Sequence, residues 1–248
     1  KLRVEVLDEP VVRLRATDLD AEVSFSLENL ADKKDLNGQP LPGFALYPAG
    51  VAWALRQAGL PVRGLAVEYS SEIPIGAGLS SSAAVQVGFA LAWQTAGEWD
   101  IPKMELVRLC QKAENDYVGV KAGLMDQFAC AFGVAGHALA LDTRSLAWQT
   151  LPLLKDTAIV IADSGVRRSL AASTYNSLRA DCQEAVERLR AWCSSLTSLR
   201  DVTPEFLQAH LSDLPERVGR RALHVVGEMT RVEQAIGCLV ENDSVGFG

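Results

Sequence analysis

Three short stretches carry side chains suited to chemistry at close quarters. The first is PIGAGLSSSAA, residues 74–84, which follows a strand-like run. Gly76 and Gly78 let the backbone turn sharply and come close to a ligand. A helix starting near Ser80 presents unpaired amides and the positive end of its dipole, an arrangement that binds anions such as phosphate. Residues Gly76, Ala77, Gly78, Leu79, Ser80, Ser81 and Ser82 are therefore a candidate phosphate cradle, and the serine hydroxyls can bind phosphate oxygens or Mg²⁺. The P-loop pattern needs a lysine directly after its second glycine, but here none follows Gly78 until Lys103. The third glycine of the dinucleotide fingerprint is also missing. A serine helix cap with two turn glycines accounts for the same residues without a ligand.

In the second stretch two carboxylates, Glu114 and Asp126, are candidates for chemistry. Glu114 borders the apolar stripe made by Cys110, Ala113 and Tyr117. It is either a solvated helix-edge residue or a ligand for a Mg²⁺ ion held near the serines. Asp126 lies in the nearly apolar run GLMDQFACAF. Burial of an ionised carboxylate is costly unless it is compensated. One reading is a first-turn acid stabilised by the helix dipole. The other is a buried base that orients a substrate hydroxyl and accepts its proton in phosphoryl transfer. The third stretch is DSGVRRSLAASTYN, residues 163–176, a polar loop after an apolar strand. Tyr175 there is either a half-buried packing residue or a hydrogen-bond donor to a sugar hydroxyl. Arg217, Arg220 and Arg221 read as a solvated helix face.

The elements that must position these residues follow from periodicity. Strands are predicted over 2–7, 11–15, 21–27, 63–70, 138–142, 147–151 and 157–163. Helices are predicted over 46–58, from the serines to Ala96, and over 103–117, 124–132, 174–193 and 216–241. A further helix begins at Thr203-Pro204, with Thr as cap and Pro at the first helical position. The stripe of the 174–193 helix includes Trp192 and Cys193. Strands cluster before residue 163 and long helices follow it, which implies an α+β protein. We expect a first part, 1–153, with a mixed sheet and a second, helix-rich part, 154–248. The chain has 248 residues, 48% of them hydrophobic, and a net charge of −7. That acidic balance gives nucleic-acid binding no support. No run is long enough to span a membrane. Five scattered cysteines without a CxxC pair point to reduced thiols and a cytoplasmic location rather than a zinc site. Three distant histidines offer neither a metal cluster nor a Ser-His-Asp triad.

Taken together, the stretches resemble the GHMP small-molecule kinases. PIGAGLSSSAA is similar to their second motif. KAENDYVGVKAGLMDQFACAFG, DSGVRRSLAASTYNSLRADCQEA and RRALHVVGEMTRVEQA resemble segments of the galactokinase branch, in family order. The resemblance implies a two-lobed GHMP kinase-like fold, incomplete at both ends. It implies transfer of the γ-phosphoryl group of ATP to the C1 hydroxyl of galactose. In that scheme Gly76 to Ser82 cradle the ATP phosphates, and Ser82 and Glu114 hold Mg²⁺. Asp126 is the catalytic carboxylate facing the sugar, and Gly123 and Tyr175 contact it. The partners implied are ATP and a small sugar, with no nucleic acid or membrane, in a monomer or weak dimer. The alternatives are a kinase for another sugar, such as N-acetylgalactosamine or arabinose, and a non-catalytic sugar and ATP sensor. The intact GLSSSAA favours catalysis.

The chain also departs from the pattern. Asn115 stands where the family has a histidine. The family's first motif, with its catalytic arginine and acidic sugar contacts, does not precede Lys1, and its third, glycine-rich motif does not follow Gly248. The expectation is the middle of a longer protein, inactive as an isolated piece.

Overall fold

The computed structural model describes residues 1–162 and 171–248, apart from the side chains of 171–174. Contacts divide them into two compact units. The first is built on Lys1–Gly133 with Thr143–Ser145. The second takes Val134–Asp142, Leu146–Ile161 and the chain from Ala171 to Gly248.

A four-stranded mixed sheet organises the first unit. Strands β1 (Leu2–Leu7), β2 (Val11–Ala16), β3 (Ala21–Ser26) and β4 (Gly64–Tyr69) lie in the order β1-β4-β2-β3. β4 runs antiparallel to β1 and parallel to β2, while β2 and β3 are antiparallel. Alternation along β2 buries Val12, Leu14 and Ala16 and exposes Arg13 and Arg15. The same period buries Leu65, Val67 and Tyr69 of β4, as the sequence predicts. Helices α1 (Gly43–Gln57), α2 (Ser81–Ala96), α3 (Lys103–Lys112) and α4 (Met125–Phe132) complete the unit. Leu55, Phe89, Trp93 and Cys110 join Val12, Phe25 and Leu65 in one apolar cluster.

The helix predicted over 103–117 is interrupted. Its α-helical part ends at Lys112, and the chain widens into a π turn, Ala113–Val118. The carbonyl of Glu114 accepts from the amides of Gly119 (2.9 Å) and Val120 (3.1 Å). Such turns recur at functional sites because they re-aim side chains within a helix. Tyr117 anchors this one. Its hydroxyl donates to the Leu30 carbonyl at 2.6 Å, and the Lys33 ammonium lies 4.9 Å from its ring centroid. The ring also lies against Gly50 of α1, where a Cβ would come within 3.1 Å of it. The absence of a side chain at Gly50 lets α1 and the π turn approach so closely.

The second unit holds a hairpin and helices. β5 (His137–Leu141) and β6 (Trp148–Pro152) pair antiparallel. Helices α5 (Ala171–Leu189), α6 (Pro204–Ala209) and α7 (Glu216–Glu241) follow. Ala185 and Leu189 of α5, Leu207 of α6, and Val218, Ala222 and Val226 of α7 form its core. Thr203 caps α6, its hydroxyl accepting from the Phe206 amide at 3.2 Å, with Pro204 at the first position, as predicted. The hairpin falls in this unit rather than before a boundary near residue 153, because β6 packs on α7.

Two local expectations change. Trp192 is not part of a buried stripe. α5 ends at Leu189, and Trp192 is exposed, its ring stacked on His210 at 4.6 Å between centroids. No strand forms over residues 157–162; Ile159, Val160 and Ile161 are exposed. An apolar run becomes a strand only where an edge is available to pair with it, and periodicity cannot report that. Residues 163–170 of the polar stretch lie outside the described residues. Among the described residues, no helix is long and apolar enough to cross a membrane.

Removal of the Tyr117 hydroxyl would leave the buried Leu30 carbonyl with the Lys33 amide, at 3.2 Å, as its remaining donor. Tyr117→Phe is expected to destabilise the protein by about 0.5–1.5 kcal/mol, the worth of one hydrogen bond. Urea unfolding of the two proteins side by side would measure it, and equal midpoints would contradict the anchoring role.

Candidate functional site

The chain leaves β4 at Tyr69 and enters α2 at Ser81 through the glycine and serine loop. Gly76 and Gly78 sit at φ 74° and 78°, in the left-handed region. A Cβ at Gly78 would meet nothing within 4 Å, so the conformation, not the available space, calls for glycine there. Ser80 follows at φ 59° and ψ 33°. That conformation costs a residue with a Cβ about 1–2 kcal/mol, and such strain gathers at functional sites. No side chain caps α2. The serine-cap reading of the loop therefore fails: Ser80 occupies the cap position, but its hydroxyl does not hold the first-turn amides. Ala77, Leu79, Ser80, Ser81 and Ser82 are half-buried, whereas Gly76 and Gly78 are exposed.

Glu114 is the buried carboxylate of the site, 7% exposed. The sequence suggests the reverse, with Asp126 buried in its apolar run. Asp126 is instead half-buried in the first turn of α4, because the apolar residues around it divide between two faces. Met125 points outward at 67% exposed, and Phe128 is buried. Burial pushes the Glu114 carboxyl above the usual carboxylate range. The amides of Gln86 and Gln127 pull it back, and the charge of Asp126 adds to the rise.

Three residues that sequence reasoning missed complete the cluster. Tyr47 of α1 is raised by burial and by the charge of Glu114, and lowered by a hydrogen bond with Ser82. One phenol thus has both Ser82 and Glu114 as neighbours. Gln86 and Gln127 are fully buried. The Gln127 side-chain amide donates to Glu114 Oε2 and, at 3.1 Å, to Gln86 Oε1. Gln127 Oε1 has no hydrogen-bond partner, and Gln86 Nε2, although beside the Glu114 carboxyl, makes no well-formed hydrogen bond. A buried orphan such as Gln127 Oε1 costs about 1–3 kcal/mol. A sequence signal existed: Gln86 lies four residues after Ser82, on the same helix face, and Gln127 adjoins Asp126.

The remaining predicted positions are less enclosed. Gly123 is exposed, with open space where a Cβ would project. Tyr175 is 45% exposed on α5, in the second unit. Asn115 Oδ1 is buried without a partner, while the Asn115 carbonyl accepts from Lys121 Nζ at 2.9 Å. Among the described residues, no group of three or more His, Cys, Asp or Glu could hold a metal ion. The oxygens of Ser82 and Glu114 are a hard donor pair of the kind Mg²⁺ takes beside phosphate oxygens.

Residues 47–134 match the family described as GHMP kinases N terminal domain. A galactokinase of Roseiflexus sp. (strain RS-1) is 40% identical over 96% of this chain, which spans 59% of that relative. One from Chloroflexus aggregans is 37% identical over 97% of the chain and 60% of the relative. The crystal structure of Lactococcus lactis galactokinase complexed with galactose is similar with a TM-score of 0.85 at 28% identity. That similarity covers the whole of this chain and 63% of the other. The chain thus spans less than two thirds of the length of these relatives.

The raised carboxyl of Glu114 has a consequence for stability. The folded state holds that proton more tightly than the unfolded chain, whose ordinary value is 4.5. Without metal, this group's contribution therefore falls as pH rises from the unfolded value through the folded one. Glu114→Gln is expected to remove that fall and to gain stability over the native protein at neutral pH. Urea unfolding across that interval tests it, and parallel pH profiles would refute it.

Proposed function

With a GHMP kinases N terminal domain matched at residues 47–134 and galactokinases as relatives over almost all of its length, we propose that this chain belongs to the GHMP kinases and that the whole protein transfers the γ-phosphoryl group of ATP to the C1 hydroxyl of galactose. The observation that carries the reading is a meeting of parts within the first unit. An uncapped helix start follows a glycine loop, Ser82 and Glu114 both neighbour Tyr47, and Asp126 adjoins the Gln127 that holds Glu114. The galactose in the related Lactococcus lactis complex supports the choice of sugar.

Phosphoryl transfer asks little covalent chemistry of a protein and much positioning of charge. The amides and hydroxyls from Gly76 to Ser82 receive the phosphates of ATP at the positive end of α2. Ser82 and Glu114 would hold Mg²⁺, which when bound neutralises charge on the phosphate oxygens. Asp126, half-buried and open to solvent on one side, orients the acceptor hydroxyl and takes its proton. Gly123, where a Cβ would meet nothing within 4 Å, enters as a sugar contact on the family resemblance. Tyr175 enters the reading as a sugar contact on the family resemblance alone.

ADP release by the full-length protein with ATP and a panel of galactose, N-acetylgalactosamine and arabinose tests the proposal. Release with another sugar but not with galactose would overturn the specificity. Asp126→Asn is expected to lower kcat about 10²- to 10⁴-fold with ATP affinity preserved. Unchanged turnover would remove Asp126 from its role.

A further inference from the structure

We propose that Gln127 is a positioning residue that, with Gln86, fixes the Glu114 carboxylate where a divalent cation is held; the inference rests on the kinase reading above. The two hydrogens of one amide nitrogen reach two elements, Glu114 in the π turn and Gln86 in α2. Gln127 itself belongs to α4, next to Asp126. A single side chain thereby ties the helix of Ser82, the carboxylate of Glu114 and the helix of Asp126 together.

The polarity of the chain of bonds follows from chemistry. An ionised carboxylate only accepts, so Gln127 must face Glu114 with its amino group. Its second hydrogen then requires an acceptor, and Gln86 presents its oxygen. The arrangement leaves Gln127 Oε1 without a partner and Gln86 Nε2 without a well-formed hydrogen bond in the interior. A core built for packing alone would use apolar side chains of similar volume and strand nothing. These two unmet groups are the cost of holding Glu114 in one orientation. Glu114 Oε2 is engaged by Gln127, so the orientation of the carboxylate is set from α4. Side chains behind a metal ligand that orient it in this way typically change metal affinity about 10- to 100-fold when removed.

The test uses the full-length protein, Mn²⁺ as probe and a non-hydrolysable ATP analogue, with free Mn²⁺ read by electron paramagnetic resonance. Gln127→Met is expected to weaken Mn²⁺ binding about 10- to 100-fold while metal-free nucleotide affinity stays the same. On a Glu114→Gln background the same substitution should add nothing, since it acts through that carboxylate. Undiminished Mn²⁺ binding in Gln127→Met, or full weakening on the Glu114→Gln background, overturns the proposal. If Glu114→Gln weakens Mn²⁺ binding and Gln127→Met does not, the kinase reading stands and the positioning role falls. If Glu114→Gln itself leaves Mn²⁺ binding intact, the metal role of Glu114 fails and the proposal with it. Should Gln127→Met not fold, Gln86→Met carries the test. It removes the acceptor that steadies Gln127, so it should weaken Mn²⁺ binding in the same direction, and no change there overturns the proposal.

Discussion

A carboxylate kept out of water is the constraint around which the first unit is arranged. Glu114 is nearly closed off from solvent, and an ionised group in that position is tolerated only with partners. Its partners come from different elements. Gln127 reaches it from α4, Gln86 supports it from α2, and Tyr47 stands beside it on α1. The backbone contributes as well. The π turn carries Glu114 inward between Ala113 and Tyr117, and the close approach at Gly50 lets α1 meet that turn. Substitution of any one of these residues would disturb the support of the others.

The glycine and serine loop is the counterpart of this acidic cluster. The chain as a whole is negative, at −7, so long-range attraction does not draw an anion to it. In the proposed function, affinity for phosphate comes from local donors. The uncapped start of α2 supplies them as backbone amides, which keep their polarity at any pH. This explains how a loop without a lysine can be suited to phosphate. Directed dipoles and hydroxyls replace a point charge, and a metal ion shared with Glu114 would supply the remaining positive charge.

Much of this was legible in the sequence. β2, β4 and α7 lie within a residue or so of their predicted bounds because their periodicity is clean, and α2 does so because its apolar run is too long for a strand. The Thr203-Pro204 start of α6 was legible from local sequence too. The π turn was not, since Cys110, Ala113 and Tyr117 keep ordinary helical spacing across it. The exchange of burial between Glu114 and Asp126 was hidden too. An apolar neighbourhood in sequence says little about which helix face a residue takes. Gln86 and Gln127 passed unnoticed because glutamine carries no charge to betray a buried polar pair. The exposed run at Ile159 to Ile161 depends on a pairing edge, a non-local matter that no window of sequence contains.

Ser80 has a further consequence. Its left-handed backbone, together with those at Gly76 and Gly78, sets three positive-φ residues within five positions of the chain. Glycine adopts that region freely, whereas the residue that opens α2 does so while carrying a Cβ. One serine thus fixes both the bend of the loop and the direction in which α2 sets out, and a change of residue there would alter the two together.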